Sequence, residues 1–172
     1  VRTIVSTSMA DRIAEAYGME VVQTLTGFKY IGEQISRLEQ QGEVDRYVFG
    51  FEESCGYLIG SYVRDKDAVG AAMILCEMAD AYKAEGKTLW DVLEELYAKY
   101  GHYETELKNY EFDGAEADKR MARIREGLAS PEGMKFGGSK VARFKDYKDG
   151  IDGFPPSNVL QLWMEDGSTA VI

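Results

Sequence analysis

Apolar stretches at Thr3-Ile4-Val5, Glu20 to Leu25 and Tyr47 to Phe51 alternate with two segments of helical spacing, which confines the first half of the chain to a β-α-β-α-β order. The expected fold class is therefore α/β, a three-layer domain around a mixed sheet. The first helix should follow Ser8, with Asp11 three residues on as a capping box, carry Met9, Ile13 and Ala16, and stop at Gly18. The second follows Thr26-Gly27, with Tyr30, Ile31, Ile35 and Leu38 near helical spacing. A longer helix is expected from Asp65 or Asp67 to about Ala84, its core stripe being Val69, Ala72, Met73, Cys76 and Ala79 and its acidic start suiting the helix dipole. Thr88 and Asp91 form another capping box ahead of Val92, Leu93, Leu96, Tyr97 and Tyr100, and Gly101 should end that helix.

The first domain is thus expected over residues 1–101 and a polar, glycine-bearing connector over 102–114. Residues 115–172 change style. A helix from Ala115 to Leu128 turns Met121, Ile124 and Leu128 inward, and short strands follow at Val141 to Tyr147 and Val159 to Met164. Asp166-Gly167 signals a type I′ hairpin into Thr169 to Ile172, so this part reads as a truncated α+β domain.

Composition narrows the partners. A net charge of −10 argues against nucleic acid, which needs clustered Lys and Arg. No apolar stretch approaches the ~20 residues of a membrane span. Cys55 and Cys76 read as reduced thiols, which points to a cytoplasmic protein. His102, the one histidine, falls in the connector, where exposure is expected rather than a catalytic triad.

Chemistry concentrates in Gly50-Phe51-Glu52-Glu53-Ser54-Cys55-Gly56-Tyr57, directly after the third strand. A strand running through it puts Glu52 and Ser54 on one face and Glu53 on the other, while Gly50 and Gly56 let a ligand approach the backbone. Two oxygen acceptors on one face suit sugar hydroxyls; solvated acids at a strand exit are the structural alternative. Asp65 and Asp67 with Glu52 and Glu53 could hold a hard cation, but helix capping accounts for the aspartates more simply. Lys29, beside the Gly27 turn, is the candidate for a phosphate, with Arg64 and Lys66 read as domain-bridging cations.

This run resembles the sugar-recognition loop of the α-D-phosphohexomutases, in its phosphoglucomutase-like form Gly-x-Glu-Glu-Ser-x-Gly. Thr26-Gly27-Phe28-Lys29-Tyr30-Ile31 is similar to the family's lysine-bearing segment, and Val63-Arg64-Asp65-Lys66-Asp67-Ala68 to its Arg-x-Lys-Asp stretch. The resemblance continues into Phe154-Pro155-Pro156-Ser157-Asn158-Val159-Leu160 and Glu165-Asp166-Gly167-Ser168, so it covers the third of four domains and part of the fourth. It implies a phosphoglucomutase or phosphomannomutase interconverting hexose 1-phosphate and hexose 6-phosphate through a phosphoserine, with magnesium and a hexose 1,6-bisphosphate. In that reading Glu52, Ser54 and Lys29 bind the hexose phosphate, Gly50, Glu53 and Gly56 shape the loop, and the remaining domains of the parent chain are partners. No residue here is catalytic or a metal ligand, because the family's phosphoserine and Asp-x-Asp-x-Asp loops do not occur in the sequence. A chain from Val1 to Ile172 then reads as a fragment, inactive alone. Cys55 and Tyr57, where mannose-active relatives often place Gly-His after the serine, favour glucose. The competing reading is a standalone sugar-phosphate-binding or protein-interaction module without catalysis.

Overall fold

The computed structural model describes residues 1–112 and 114–172; Asp113, within the expected connector, lies outside the described residues. The chain divides into two compact units, Val1–Thr105 and Glu106–Ile172.

In the first unit the order is β1 (Arg2–Thr3), α1 (Met9–Ala16), β2 (Gln23–Thr24), α2 (Phe28–Gln41), a 3₁₀ turn (Val44–Arg46), β3 (Phe49–Glu52), β4 (Gly56–Ile59), α3 (Ala68–Ala84) and α4 (Leu89–Tyr100). The sheet runs β2-β1-β3-β4, with β1 parallel to both neighbours and β4 antiparallel to β3, so the mixed α/β architecture is as expected. The core forms where α2 lays Phe28, Ile31 and Ile35 against Tyr47 and Leu58. Period two in β3 follows from this: Gly50 and Glu52 are buried, while Phe49 and Phe51 take the opposite face and stack at 5.5 Å between ring centroids.

Several local expectations are corrected. The strand does not continue through the acidic run: it ends at Glu52, and Glu53-Ser54-Cys55 turn the chain into β4, which pairs Gly56 with Glu52. The left-handed Cys55, at φ 59, makes this reversal possible. Ser8 precedes α1 in a helical conformation, φ −78 and ψ 0, and makes no side-chain cap, while the Asp11 carboxylate is drawn to Arg2 at 2.6 and 2.5 Å. The expected core stripe of α3 is on the outside, with Val69 81% exposed and Met73 and Cys76 exposed as well. That helix is apolar nearly all round, so periodicity does not fix which face turns inward. The cap of α3 is Asp67, whose carboxylate accepts from the Val69 and Gly70 amides, and α4 opens with the full Thr88–Asp91 capping box.

The second unit comprises α5 (Gly114–Gly127) and an antiparallel sheet of β5 (Lys135–Phe136), β6 (Ser139–Asp146), β7 (Leu160–Met164) and β8 (Thr169–Val171), in chain order. Val141, Leu160, Leu162 and Met164 close over Leu128 as its core. Met121 and Ile124, expected inward, are more than a third exposed. The two-residue turn with both positions left-handed is Gly137-Gly138, at φ 55 and 96. Asp166 does not take that conformation. Glu165-Asp166-Gly167 form a three-residue connection with only Gly167 left-handed, at φ 86, and the Met164 amide donates to Ser168 O.

Candidate sugar-phosphate site

The chain crosses from β1 through α1 to β2 on one side, then through α2 to β3 on the other, so the strand order reverses at β1. In open α/β sheets the crevice beyond the carboxyl ends of the strands at such a reversal is where ligands bind. The groups there are Thr3 and Ser6 at the end of β1, Thr24 to Gly27 at the end of β2, and Glu52 to Ser54 at the end of β3.

Glu52 is the centre of the cluster. Its carboxylate lies on the α2 face of β3, next to the glycine amide that opens α2, and the residue is 4% exposed. One oxygen, Oε1, takes both the Lys66 ammonium at 2.6 Å and the Ser54 hydroxyl at 2.7 Å, and Lys66 also reaches Ser54 Oγ at 3.4 Å. The other, Oε2, is buried with no hydrogen-bond partner among the described residues. Burial pushes the Glu52 carboxyl up. The Lys66 and Ser54 bonds, with a smaller pull from the Gly27 amide, outweigh it and hold the group below its ordinary value. Lys66 is held above its own ordinary value, chiefly by its bond to Glu52.

Ser54 and Lys66 face solvent, whereas Glu52 does not. The arrangement is therefore a buried anchor presenting a hydroxyl and an ammonium, a pair suited to an anion that also carries hydroxyls.

The glycines serve a different purpose from the one expected. A Cβ on Gly56 would lie 2.8 Å from Glu52 Cγ and 2.9 Å from Phe28 Cδ2, and one on Gly50 would lie 2.6 Å from Ile31 Cγ2 and also strike the Tyr47 hydroxyl. Both make room for the protein's own side chains rather than for a ligand.

Glu53 turns away from Glu52 and accepts a hydrogen bond from Thr3 Oγ1 at 2.7 Å. Lys29 stands in the first turn of α2, exposed, its ammonium 4.9 Å over the Tyr30 ring; among the described residues no hydrogen bond or ion pair joins it to Glu52 or Ser54. Arg64 pairs with Glu39 of α2, inside the same unit. Lys66, read from the sequence as a bridging cation, is thus the one brought to the acid. The missed signal is β4. Once Gly56-Tyr57-Leu58-Ile59 is seen as a returning strand, the chain must come back to Asp67, whose amide donates to Tyr57 O at 2.8 Å, and this carries Lys66 to the hairpin tip. Among the described residues no three His, Cys, Asp or Glu side chains gather as a metal site, so the magnesium that the resemblance implies finds no ligand set here.

Residues 1–100 match the family described as phosphoglucomutase/phosphomannomutase, alpha/beta/alpha domain III, and the chain belongs to that family. It is 32% identical over 182 residues to a phosphoglucomutase of Staphylococcus aureus strain MSSA476, covering 99% of this chain and 32% of that protein. A phosphoglucomutase of Staphylococcus epidermidis is 28% identical with similar coverage. The fold is shared with the open form of the exocytosis-sensitive phosphoprotein pp63/parafusin, a phosphoglucomutase from Paramecium, at a TM-score of 0.65 and 23% identity over 99% of this chain and 29% of that one. The chain spans about a third of the length of the curated relatives it matches.

Proposed function

We propose that this chain is the sugar-gripping portion of a phosphohexomutase, binding hexose phosphates while other parts of a longer parent supply the phosphoserine and its magnesium. The observation that carries this reading is the convergence of Lys66 and Ser54 on one oxygen of the buried Glu52 at the carboxyl ends of the parallel strands. A hexose phosphate offers the complement. A sugar hydroxyl takes the place of Lys66 on Glu52 Oε1 and meets Ser54, while the released ammonium turns to the phosphate. Lys29, at the start of α2, adds positive charge on the same side of the sheet. The chain's own residues bind and orient; none of them transfers the phosphoryl group.

Glucose is the favoured sugar, from the Ser54-Cys55-Gly56-Tyr57 order. Residues 1–101 form the sugar-recognition domain, and residues 115–172 form part of the domain that follows. Two exposed free thiols, Cys55 and Cys76, support a reducing, cytoplasmic setting. Among the described residues no helix is long and apolar enough to cross a membrane. Calorimetric titration of the chain with glucose 6-phosphate and mannose 6-phosphate tests the reading. Binding of the glucose compound that weakens with added salt is expected, and an absence of heat with either sugar contradicts it.

A further inference from the structure

The two adjacent acids of the hairpin face different partners, and Glu53 is committed to the scaffold. We propose that Thr3 and Glu53 form a clasp that sets the Glu52–Ser54 pair in its working position, a positioning role that rests on the sugar-phosphate reading above. The hairpin carrying Ser54 has strands of four residues and a three-residue tip, too little paired backbone to be rigid by itself. Besides the Lys66 contact to Ser54, the tip gains an anchor from β1: Thr3 Oγ1, fully buried, donates to Glu53 Oε2 at 2.7 Å.

Thr3 is itself fixed from several sides. Its strand pairs it with Thr24, Ser6 Oγ lies 2.8 Å from its hydroxyl, and Arg2 Nη1 donates to both Thr3 O and Ser6 O at 2.9 and 3.1 Å. Arg2 is in turn gripped by Asp11 of α1. A continuous set of contacts therefore runs from α1 through the end of β1 to the tip that holds Ser54. Because Thr3 already spends its proton on Glu53, Ser6 supplies the proton between the two hydroxyls. Without the clasp, Ser54 would leave Glu52 Oε1 as the tip moves, and the two groups would no longer be presented together.

The test combines amide exchange over residues 51–58 with glucose 6-phosphate titration of the whole chain. Glu53→Ala and Thr3→Val should each speed exchange in the hairpin by roughly tenfold while leaving the α2 amides at Ile31 and Ile35 unchanged. Glucose 6-phosphate affinity should fall by roughly tenfold in the same variants. Thr3→Ser keeps the donor and Glu53→Gln keeps an acceptor, so both should restore exchange and affinity to within roughly twofold of the parent. Unchanged exchange in Glu53→Ala overturns the clasp, and so does a Glu53→Gln variant as impaired in affinity as Glu53→Ala, which would make Glu53 a charge contact to the ligand. Should Thr3→Val not fold, the exposed Glu53 decides through its own two variants. If the unaltered chain ignores glucose 6-phosphate, the sugar reading falls and the positioning role with it, while the exchange arm still shows whether the contact holds the tip.

Discussion

The Lys66 ammonium sits 2.6 Å from Oε1 of Glu52, a carboxylate that is almost wholly buried, and shares that oxygen with the Ser54 hydroxyl. A buried charge is tolerated only when it is paired, so each of these groups constrains the others. Removing Lys66 leaves an uncompensated carboxylate, whereas removing Ser54 takes away one hydrogen bond of about 1 kcal/mol. Lys66→Ala is therefore expected to lower the stability of the first unit more than Ser54→Ala does, as measured by urea unfolding.

The pH dependence follows from the same pair. Glu52 has a folded pKa below its ordinary value of 4.5, so the unfolded chain binds that proton more tightly; the stabilisation is present above pH 4.5 and is lost as pH falls through the folded value. Lys66 is raised above 10.5, so its contribution is full below that pH and lost as pH rises through its folded value. The contribution of this pair to stability should be level between these limits. Glu52→Gln should remove the acid-side loss attributable to this group, which an acid titration followed by tyrosine and tryptophan fluorescence checks.

Cys55 occupies the left-handed position of a three-residue hairpin, where the second unit uses Gly167 for the equivalent task. A side chain there costs about 1 kcal/mol relative to glycine. Cys55→Gly should therefore raise the stability of the first unit by roughly that amount, and a lower denaturation midpoint would count against the turn geometry.

Gly56 tests how tightly Glu52 is housed. A methyl group there would meet Glu52 Cγ and Phe28 at under 3 Å, so Gly56→Ala should cost about 1–3 kcal/mol and displace the carboxylate from Lys66. Thermal unfolding together with loss of glucose 6-phosphate binding would record both effects.

Much of the fold was legible because periodicity and caps act locally. The β-α-β-α-β order, the Asp67 start of α3 and the Thr88–Asp91 box all follow from neighbouring residues. Some failures were of local turn geometry, as at Asp166-Gly167, and others turned on a partner distant in sequence. Asp11 has capping spacing, yet Arg2 claims it, and α3 has an apolar stripe on a helix apolar elsewhere too, so tertiary contacts chose the face. At the site, the expectation was a shared face of Glu52 and Ser54 along an extended strand; the structure brings the two together through a turn and a hydrogen bond instead. Lys66 reads from the sequence as a bridging cation because β4, a four-residue strand containing glycine, carries a weak pattern, and that strand brings the chain back.

The most direct test of the central claim is the effect of single substitutions on glucose 6-phosphate affinity, and on kcat/KM in a full-length parent. Glu52→Gln and Ser54→Ala should weaken binding far more than Glu53→Gln. The loss for Glu52→Gln should be tenfold to a hundredfold, as expected for a charge-assisted hydrogen bond of about 1.5–3 kcal/mol. Lys66→Ala should behave like Glu52→Gln, with the loss shrinking when the ligand is glucose without phosphate. Normal affinity in the Glu52 and Lys66 variants, with Glu53→Gln alone impaired, would contradict the account, because the group facing the sugar would then be the one the structure ties to Thr3.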